Sequence, residues 1–458
     1  MSAKKPPFDP DKLYQRALTL HHEGKFKEAE SVYKTLLDFF PNQVEVLTPF
    51  ATLMMQMGSH QEGVKQLKKS LSINPRQPGA LYNLGVELQK QGQLEEALNC
   101  YQQALQLEPQ NMNAWLNRGN TLKDLQRHQE AIQSFDQAIR LNPNAPSVHW
   151  NKALTEISLG NYEQGWKLYE WGWPAGERGT PRKFSQPTWL GEENIAGKTL
   201  FIYPEQGLGD FIQFCRYVPM VEALGAKVIL EVPKPLISLV KTLKGNFSIV
   251  EEGQALPDFD MVCPVMSLPL AFKTTLQTVP AKVPYLFADQ AKREDWRQKL
   301  GAKTKPRIGI VWSGSLTNKI DLNPASRRYI PLAELKSLFD LPVEFHVLQK
   351  DFREEDKALL PSLEQLHLHE LTDFASTAAL IEEMDLVISV CTSVAHLSGA
   401  LGKETWVLLP YTVDYRWLLE REDSPWYPTV KLLRQNKISD WSEQLTAVTD
   451  SIKTKFSV

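Results

Sequence analysis

Small and apolar residues recur with a fixed step along the first 170 residues. Ala17, Ala51, Gly85, Gly119 and Ala153 stand 34 positions apart, and so do Ala29, Gly63, Ala97, Ala131 and Gly165. Tyr33, Leu67, Tyr101, Phe135 and Tyr169 keep the same step, and Pro41, Pro75, Pro109 and Pro143 close four of the units. Within one unit, "ALYNLGVELQKQGQLEEALNCYQQALQLEP" spaces its apolar positions as two amphipathic helices. From Lys198 the period changes. Short apolar runs ("KTLFIY", "AKVILEV", "SIVE", "DMVCPV") alternate with helical stretches such as "DFIQFCRYVPMVEALG" and "KPLISLVKTL". After the proline-spaced "TVPAKVPYLFAD", which reads as a linker, a second alternating half follows. Its strands are "RIGIVWSG", "VEFHVLQK", "DLVISV" and "ETWVLLP", and its helices are "PLAELKSLF", "TDFASTAALIEEM", "TSVAHLSGALG" and "WSEQLTAVTDSIKTKF". Short buried strands alternating with helices predict parallel α/β sheets.

The 34-residue unit resembles the tetratricopeptide repeat. Its small positions let the first helix of a unit pack closely on the second, the aromatic fills the groove beside them, and proline ends the second helix. Such arrays stack into a superhelix whose concave face takes an extended peptide or a partner protein, the alternative being a solenoid that only supports its neighbour. Asn83, Asn117 and Asn151 recur one unit apart, two residues before the small position, where their amides suit a peptide backbone. The same recurrence also follows if asparagine is simply common in the consensus. The fifth unit departs after its first helix. "NYEQGWKLYEWGWPAGERGTPRKFSQPTWLGEENIAGK" is rich in Trp, Gly and Pro and reads as a junction that caps the solenoid and docks it on the next domain. Trp166, Trp171, Trp173 and Trp189 are expected to pack there.

Composition narrows the function. With 51 basic and 54 acidic residues the net charge is −3, so no basic excess exists to neutralise a nucleic-acid backbone. Cys100, Cys215, Cys263 and Cys391 are far apart and form no C-x-x-C, which suggests neither a zinc site nor a disulfide framework and fits a reducing compartment. The first residues, "MSAKKPPFDPDKLYQ", lack the apolar core of a signal peptide, and no apolar run approaches a membrane span. A cytoplasmic protein is expected.

In doubly wound sheets, ligands sit at the carboxyl ends of the strands. The loop "YPEQGLGD" brings Gly207 and Gly209, which permit a tight turn and close approach of a ligand, and Asp210 at the start of a helix. A carboxylate there suits proton abstraction from a hydroxyl or, equally, helix capping. "VWSGS" ends a strand in Ser313, Gly314 and Ser315, whose amides and hydroxyls suit a phosphate. Arg327 and Arg328 in "SRRYIP" are candidates to neutralise a diphosphate or are two solvated arginines. In "VISVCTSVAHLSGALG" a strand ends at Cys391, and Thr392 and Ser393 open a helix whose free amides form an anion site. His396, one turn in, either reaches the same ligand or is a satisfied histidine between helix and sheet.

"EQGLGD", "VWSGS", "LQKD" and "DLVISVCTSVAHLSGALGKETWVLLP" together resemble the heptosyltransferase-type glycosyltransferase superfamily. With "YEWGW" at the junction and "DYRWLLEREDSPWYP" late in the chain, the whole sequence resembles bacterial tetratricopeptide proteins that carry such a domain at the C-terminus. The resemblance implies a GT-B fold, two Rossmann-like domains facing a cleft. Its organisation would be repeats over residues 10–172 (about four and a half units), a junction over 173–197, an acceptor-side half over 198–290 and a nucleotide-sugar half over 305–458. It further implies metal-independent, inverting sugar transfer with no cofactor and with Asp210 as general base. Thr392, Ser393 and an arginine would hold the departing nucleoside diphosphate, Gln349 and Lys350 would meet the nucleotide, and Asp373 would begin the helix that borders it. The implied acceptor is a protein recruited by the repeats, such as flagellin or another surface protein. Two positions depart from the family, which usually has Asp where this chain has Cys391 and often has Asp where it has Ser376. A carboxylate lost at 391 removes a partner for sugar hydroxyls. Altered donor choice and a catalytically degenerate, protein-binding scaffold are therefore both open.

Overall fold

The computed structural model describes residues 6–314 and 324–458, which fall into two compact units divided after Lys152. The first unit is helical throughout. α1 (Pro10–His22), α2 (Phe26–Phe39), α3 (Val44–Gln56), α4 (His60–Ile73), α5 (Pro78–Lys90), α6 (Leu94–Leu107), α7 (Met112–Asp124) and α8 (His128–Leu141) form successive antiparallel pairs, and α9 (Pro146–Ser158) begins the next. The small positions work by subtraction. A Cβ on Gly119 would lie 2.4 Å from the Phe135 ring, and one on Gly85 would lie 2.7 Å from the Tyr101 ring. Both rings are fully buried, so the missing methyl is what admits the aromatic. Each turn within a helix pair uses one left-handed residue, supplied by Gly24, Gly58 and Gly92 at φ of 74°, 80° and 75° and by Gln126 at 63°. Asn117 donates to the Tyr82 hydroxyl one unit earlier (3.1 Å) and Asn151 to the Ser147 carbonyl of its own helix (2.8 Å), so these amides are partly committed within the solenoid. Asn83, like them, is half-buried.

The second unit begins at Ala153, within α9, and continues with α10 (Tyr162–Tyr169) and the tryptophan-rich segment after it. Trp166 is buried among the rings of Tyr162, Tyr169, Phe214 and Tyr415, and the Trp189 indole is buried with its N–H on the Glu193 carbonyl. Two wholly parallel sheets follow. The first has β1 (Thr199–Tyr203), β2 (Lys227–Val232), β3 (Ser248–Glu251) and β4 (Met261–Pro264) in the order β3-β2-β1-β4. Its connections are short helices: α11 (Leu208–Phe214), α12 (Val218–Ala223), α13 (Ile237–Val240) and α14 (Leu268–Ala271). The stretch "KPLISLVKTL" thus forms a 3₁₀ turn and a single α turn rather than one long helix.

α15 (Gln290–Leu300) leads into the second sheet. Its strands are β5 (Arg307–Val311), β6 (Glu344–Val347), β7 (Leu366–His367), β8 (Leu386–Val390), β9 (Thr405–Leu409) and β10 (Val430–Arg434), ordered β10-β9-β8-β5-β6-β7. α16 (Glu354–Leu359), α17 (Phe374–Glu382), α18 (Ser393–Ala400) and α19 (Ser442–Phe456) join or close them, and "PLAELKSLF" winds as 3₁₀ turns. Taken from β5, the six strands follow the doubly wound order 3-2-1-4-5-6, and the first sheet follows its opening four. The chain reverses direction beside β1 in one sheet and beside β5 in the other. Both crevices therefore open at the carboxyl ends of β1, β5 and β8. Among the described residues no helix is long and apolar enough to cross a membrane.

Candidate functional site

The loops after β1, β5 and β8 bound two adjoining cavities of about 690 and 350 Å³, which share Leu208, Gly314, Thr392 and Ser393 as common wall. Gly207, Gly209, Asp210, Arg328, Cys391 and His396 line the larger cavity, with Asp414 and Arg416. Ser313, Gln349, Lys350 and Asp373 line the smaller. Arg327 lines a separate small cavity with Gln435 and Trp441, so adjacent arginines face different spaces. Ser315 lies outside the described residues.

Asp210 is the third residue of α11. Its Oδ2 accepts the Gly207 N–H (2.9 Å), and the Gly207 carbonyl accepts the Asp210 N–H (3.1 Å), a backbone form of the capping box. Its Oδ1 is ion-paired with the Arg416 guanidinium. The same guanidinium grips Asp414 through Nη1, at 2.8 and 2.9 Å to the two carboxylate oxygens. The environments of the two acids diverge. Burial raises Asp210, and the Asp414 charge adds to this against the opposing pull of Arg416. Burial also works against ionised Asp414, but the charge and hydrogen bonds of Arg416, with Arg328, carry it below the usual value. Arg416 stays charged: desolvation opposes this, and two carboxylates outweigh it.

Gly209 is explained by packing. A Cβ there would stand 2.9 Å from the His396 ring and 3.3 Å from the Ser393 Cα, so its absence lets α11 and α18 meet. The left-handed residue of this loop is Gln206, at φ 61°, and Gly207 is extended; the expectation that both glycines serve the turn is corrected accordingly. His396 is buried, stacked on Trp417 (5.1 Å, 19°) and bonded through Nδ1 to the Tyr427 hydroxyl at 3.1 Å. Burial, then the Arg416 charge, lowers it to about 3, so it is a neutral imidazole at physiological pH. The Cys391 Sγ accepts the Trp417 indole N–H at 2.9 Å, and burial, with Asp414, pushes the thiol up to about 11. A protonated, buried thiol is a poor nucleophile.

Thr392 caps α18 with extended backbone, its hydroxyl 3.2 Å from that of Ser389, and α18 presents its first-turn amides to the common wall. The Gln349 Oε1 accepts the N–H groups of Trp312 (2.9 Å) and Ser313 (3.2 Å), and its Nε2 donates to the Asp351 carbonyl, so this amide ties the β5 and β6 ends together. Asp373 caps α17 by accepting the Ser376 N–H at 2.7 Å. Ser376 itself sits under the Trp296 indole, which donates to its carbonyl at 3.0 Å.

Asp414 and Arg416 complete the larger cavity from the loop after β9, with Trp417 behind them against His396 and Cys391. They open "DYRWLLEREDSPWYP", a stretch that carried the family resemblance but suggested no site residue. Their backbone is unusual. Leu418 lies at φ 55°, ψ −165°, a conformation costly for leucine. Arg434 holds it by donating to the carbonyls of Trp417 (2.9 Å), Leu418 (3.1 Å) and Arg421 (3.0 Å). The glycine loop is held as firmly. Arg178, fully buried, binds Glu205 (Nε to Oε2, 2.9 Å), Glu170 (2.7 Å) and the Ser267 hydroxyl (2.9 Å), beneath the Trp173 and Tyr169 rings.

The 34-residue units are tetratricopeptide repeats: a model of that repeat family matches residues 82–146 and 119–166. Protein FlbA of Caulobacter vibrioides is 25% identical over 332 residues, covering 66% of this chain and 54% of FlbA, so the chain spans about half the length of that relative. The alignment is longer than the helical unit and therefore runs into the second one. Among solved structures, MamA is 22% identical over 34% of this chain and 91% of its own, with a TM-score of 0.33. YrrB, described as a TPR protein with an unusual peptide-binding site, is 19% identical over 36% and 84%, TM-score 0.34. PilF of Pseudomonas aeruginosa is 22% identical over 38% and 78%, TM-score 0.34.

Proposed function

We propose that the second unit is a GT-B glycosyltransferase that moves a sugar from a nucleotide-sugar to an acceptor, with inversion and without a metal, the acceptor being a protein recruited by the repeats. The observation that carries this reading is that loops from the switch points of two doubly wound sheets form the common wall of two adjoining cavities. Asp210 stands on one side and the start of α18 on the other. A carboxylate whose proton affinity is raised by burial suits a general base. Its two hydrogen-bond partners leave lone pairs for an acceptor hydroxyl. As that hydroxyl attacks the anomeric carbon, the glycosidic bond to the diphosphate breaks and Asp210 takes the proton. The α18 amides at Ser393 and Val394, with Arg328, stabilise the charge that develops on the leaving group. The smaller cavity, with Leu348, Leu371 and Phe374 beside Lys350 and Asp373, has the mixed lining a nucleoside needs.

One observation favours a second reading, a degenerate transferase serving as a protein-binding scaffold. Arg416 already occupies Asp210, and a thiol rather than a carboxylate ends β8. The first experiment is a thermal-shift panel with UDP-, GDP-, ADP-, CMP- and dTDP-sugars, since a ligand of the native state raises Tm by mass action. A shift with one donor class, followed by turnover that Asp210→Asn abolishes, supports the enzyme. No shift from a cooperatively melting protein supports the scaffold.

A further inference from the structure

The edge of the second sheet carries three histidines on one face. His346 on β6 is in register with His367 on β7, and His369 follows two residues on. The His346 ring is buried between the other two, stacked on His367 (4.8 Å, 21°) and on His369 (5.2 Å, 12°). A single nitrogen-to-nitrogen hydrogen bond, Nδ1 of His346 to Nε2 of His369 at 3.0 Å, joins β6 to the chain beyond β7. That bond needs one lone pair, so it fails once both rings carry two protons. The surroundings offer limited compensation. Glu344 Oε2 lies 3.5 Å from the His346 Nε2 but is held by Arg307 of β5 at 3.0 Å. The Trp296 ring of α15 stands edge-on to His369 at 5.1 Å, with Lys299 over that indole. Among the described residues no three histidine, cysteine or acidic side chains are arranged to hold a metal ion. β7 pairs over two residues, and Leu371, Thr372 and Asp373, just beyond His369, form part of the smaller cavity's wall.

We propose that His346 and His369, packed with His367, form an acid-sensitive latch, which holds β7 and the segment running from it into the cavity wall while the His346 and His369 imidazoles are neutral and releases that segment when they take up protons. Burial, then the neighbouring imidazoles, lowers His346 to about 4, and burial, then His367, lowers His369 to about 4, from 6.5. The latched form binds fewer protons than the released one between these values. Latching is therefore complete above about pH 6.5 and is lost as pH falls toward 4. One imidazole that regains an ordinary pKa on release raises the opening equilibrium about 30-fold between pH 7.5 and pH 5.

Hydrogen exchange on the full chain tests this, read by mass spectrometry at pH 7.5 and 5.0 and corrected for intrinsic chemical exchange at each pH. The expected result is a loss of protection of about 30-fold or more in peptides spanning 364–373, with β5 and β8 unchanged, and a loss below threefold in His346→Gln/His369→Gln, which removes both imidazoles that burial keeps neutral. If that double variant fails to fold, His367→Gln, which alters the most exposed ring, replaces it and is expected to reduce the loss. Three results overturn the latch: unchanged protection at 364–373, an equal loss across the whole sheet, or a full loss retained in the variant.

Discussion

Arg416 and Asp210 form an ion pair that joins the loop after β9 to the loop after β1. The pair closes one wall of the larger cavity, and burial outweighs its pull on Asp210, whose proton affinity is raised while that of Asp414, the other acid on the same guanidinium, is lowered. Divergent environments for two acids are what acid–base chemistry at one pH requires.

The divergence has a pH signature. Asp414 is lowered in the folded state, so its contribution is present above its ordinary pKa of 3.8 and is lost as pH falls through the folded value. Asp414→Asn is expected to cost about 2–3 kcal/mol at pH 7 and clearly less at pH 3. Asp210 is raised, so Asp210→Asn, which can still accept the Gly207 N–H, is expected to cost under about 1 kcal/mol at pH 7. Urea unfolding of both variants at the two pH values checks the pair of signs.

Gly209→Ala forces its new methyl against His396 and the Ser393 backbone. A loss of about 1–3 kcal/mol is expected. Removing the ring in Gly209→Ala/His396→Ala relieves part of the clash, so the double-mutant cycle is expected to show favourable coupling. Additive losses in chemical denaturation would contradict this account of the glycine.

Arg178→Met strands two carboxylates, Glu205 and Glu170, on a buried site. A loss of about 3–5 kcal/mol at neutral pH is expected. Burial already raises Glu205 above 4.5, and Arg178 is the chief influence holding it down. In the variant Glu205 rises further, the folded state binds the extra proton, and stability is lost as pH climbs. Thermal melts are therefore expected to show a smaller deficit at pH 5 than at pH 7.

The inter-helix turns allow a test free of packing. Gly92 has open space around its Cα, yet its φ of 75° suits glycine, so Gly92→Gln is expected to cost about 1 kcal/mol. Gln126 holds the same turn one unit later at φ 63°, and Gln126→Gly is expected to recover up to about 1 kcal/mol. Calorimetry of each variant measures both.

The repeats were readable because each helix pair satisfies itself locally. A small residue paired with a large one in the partner helix recurs in each unit, an aromatic in all but the second, which has Leu67; Gly85 with Tyr101 and Gly119 with Phe135 show the contact. β1, β2, β5, β6, β8 and β9 were equally legible, since strands buried on both faces read as unbroken apolar runs. β7, α15 and β10 were not. β7 is two residues long, α15 buries Trp296 alone in a largely charged stretch, and β10 alternates buried and exposed positions over its first three residues at a sheet edge.

The site divides along the same line. Sequence alone determined the glycine loop with Asp210, the Ser313–Gly314 strand end and the Thr392–Ser393 helix start, because each is a local strand-to-loop transition with its own turn and capping chemistry. Tertiary structure alone decided that Arg328 and not Arg327 faces the cavity, that Gly209 is small for the sake of His396, and that Arg416 from a distant loop neutralises Asp210. Those are pairings between segments far apart in the chain, and a charge or a missing methyl carries no local mark of the partner it will meet.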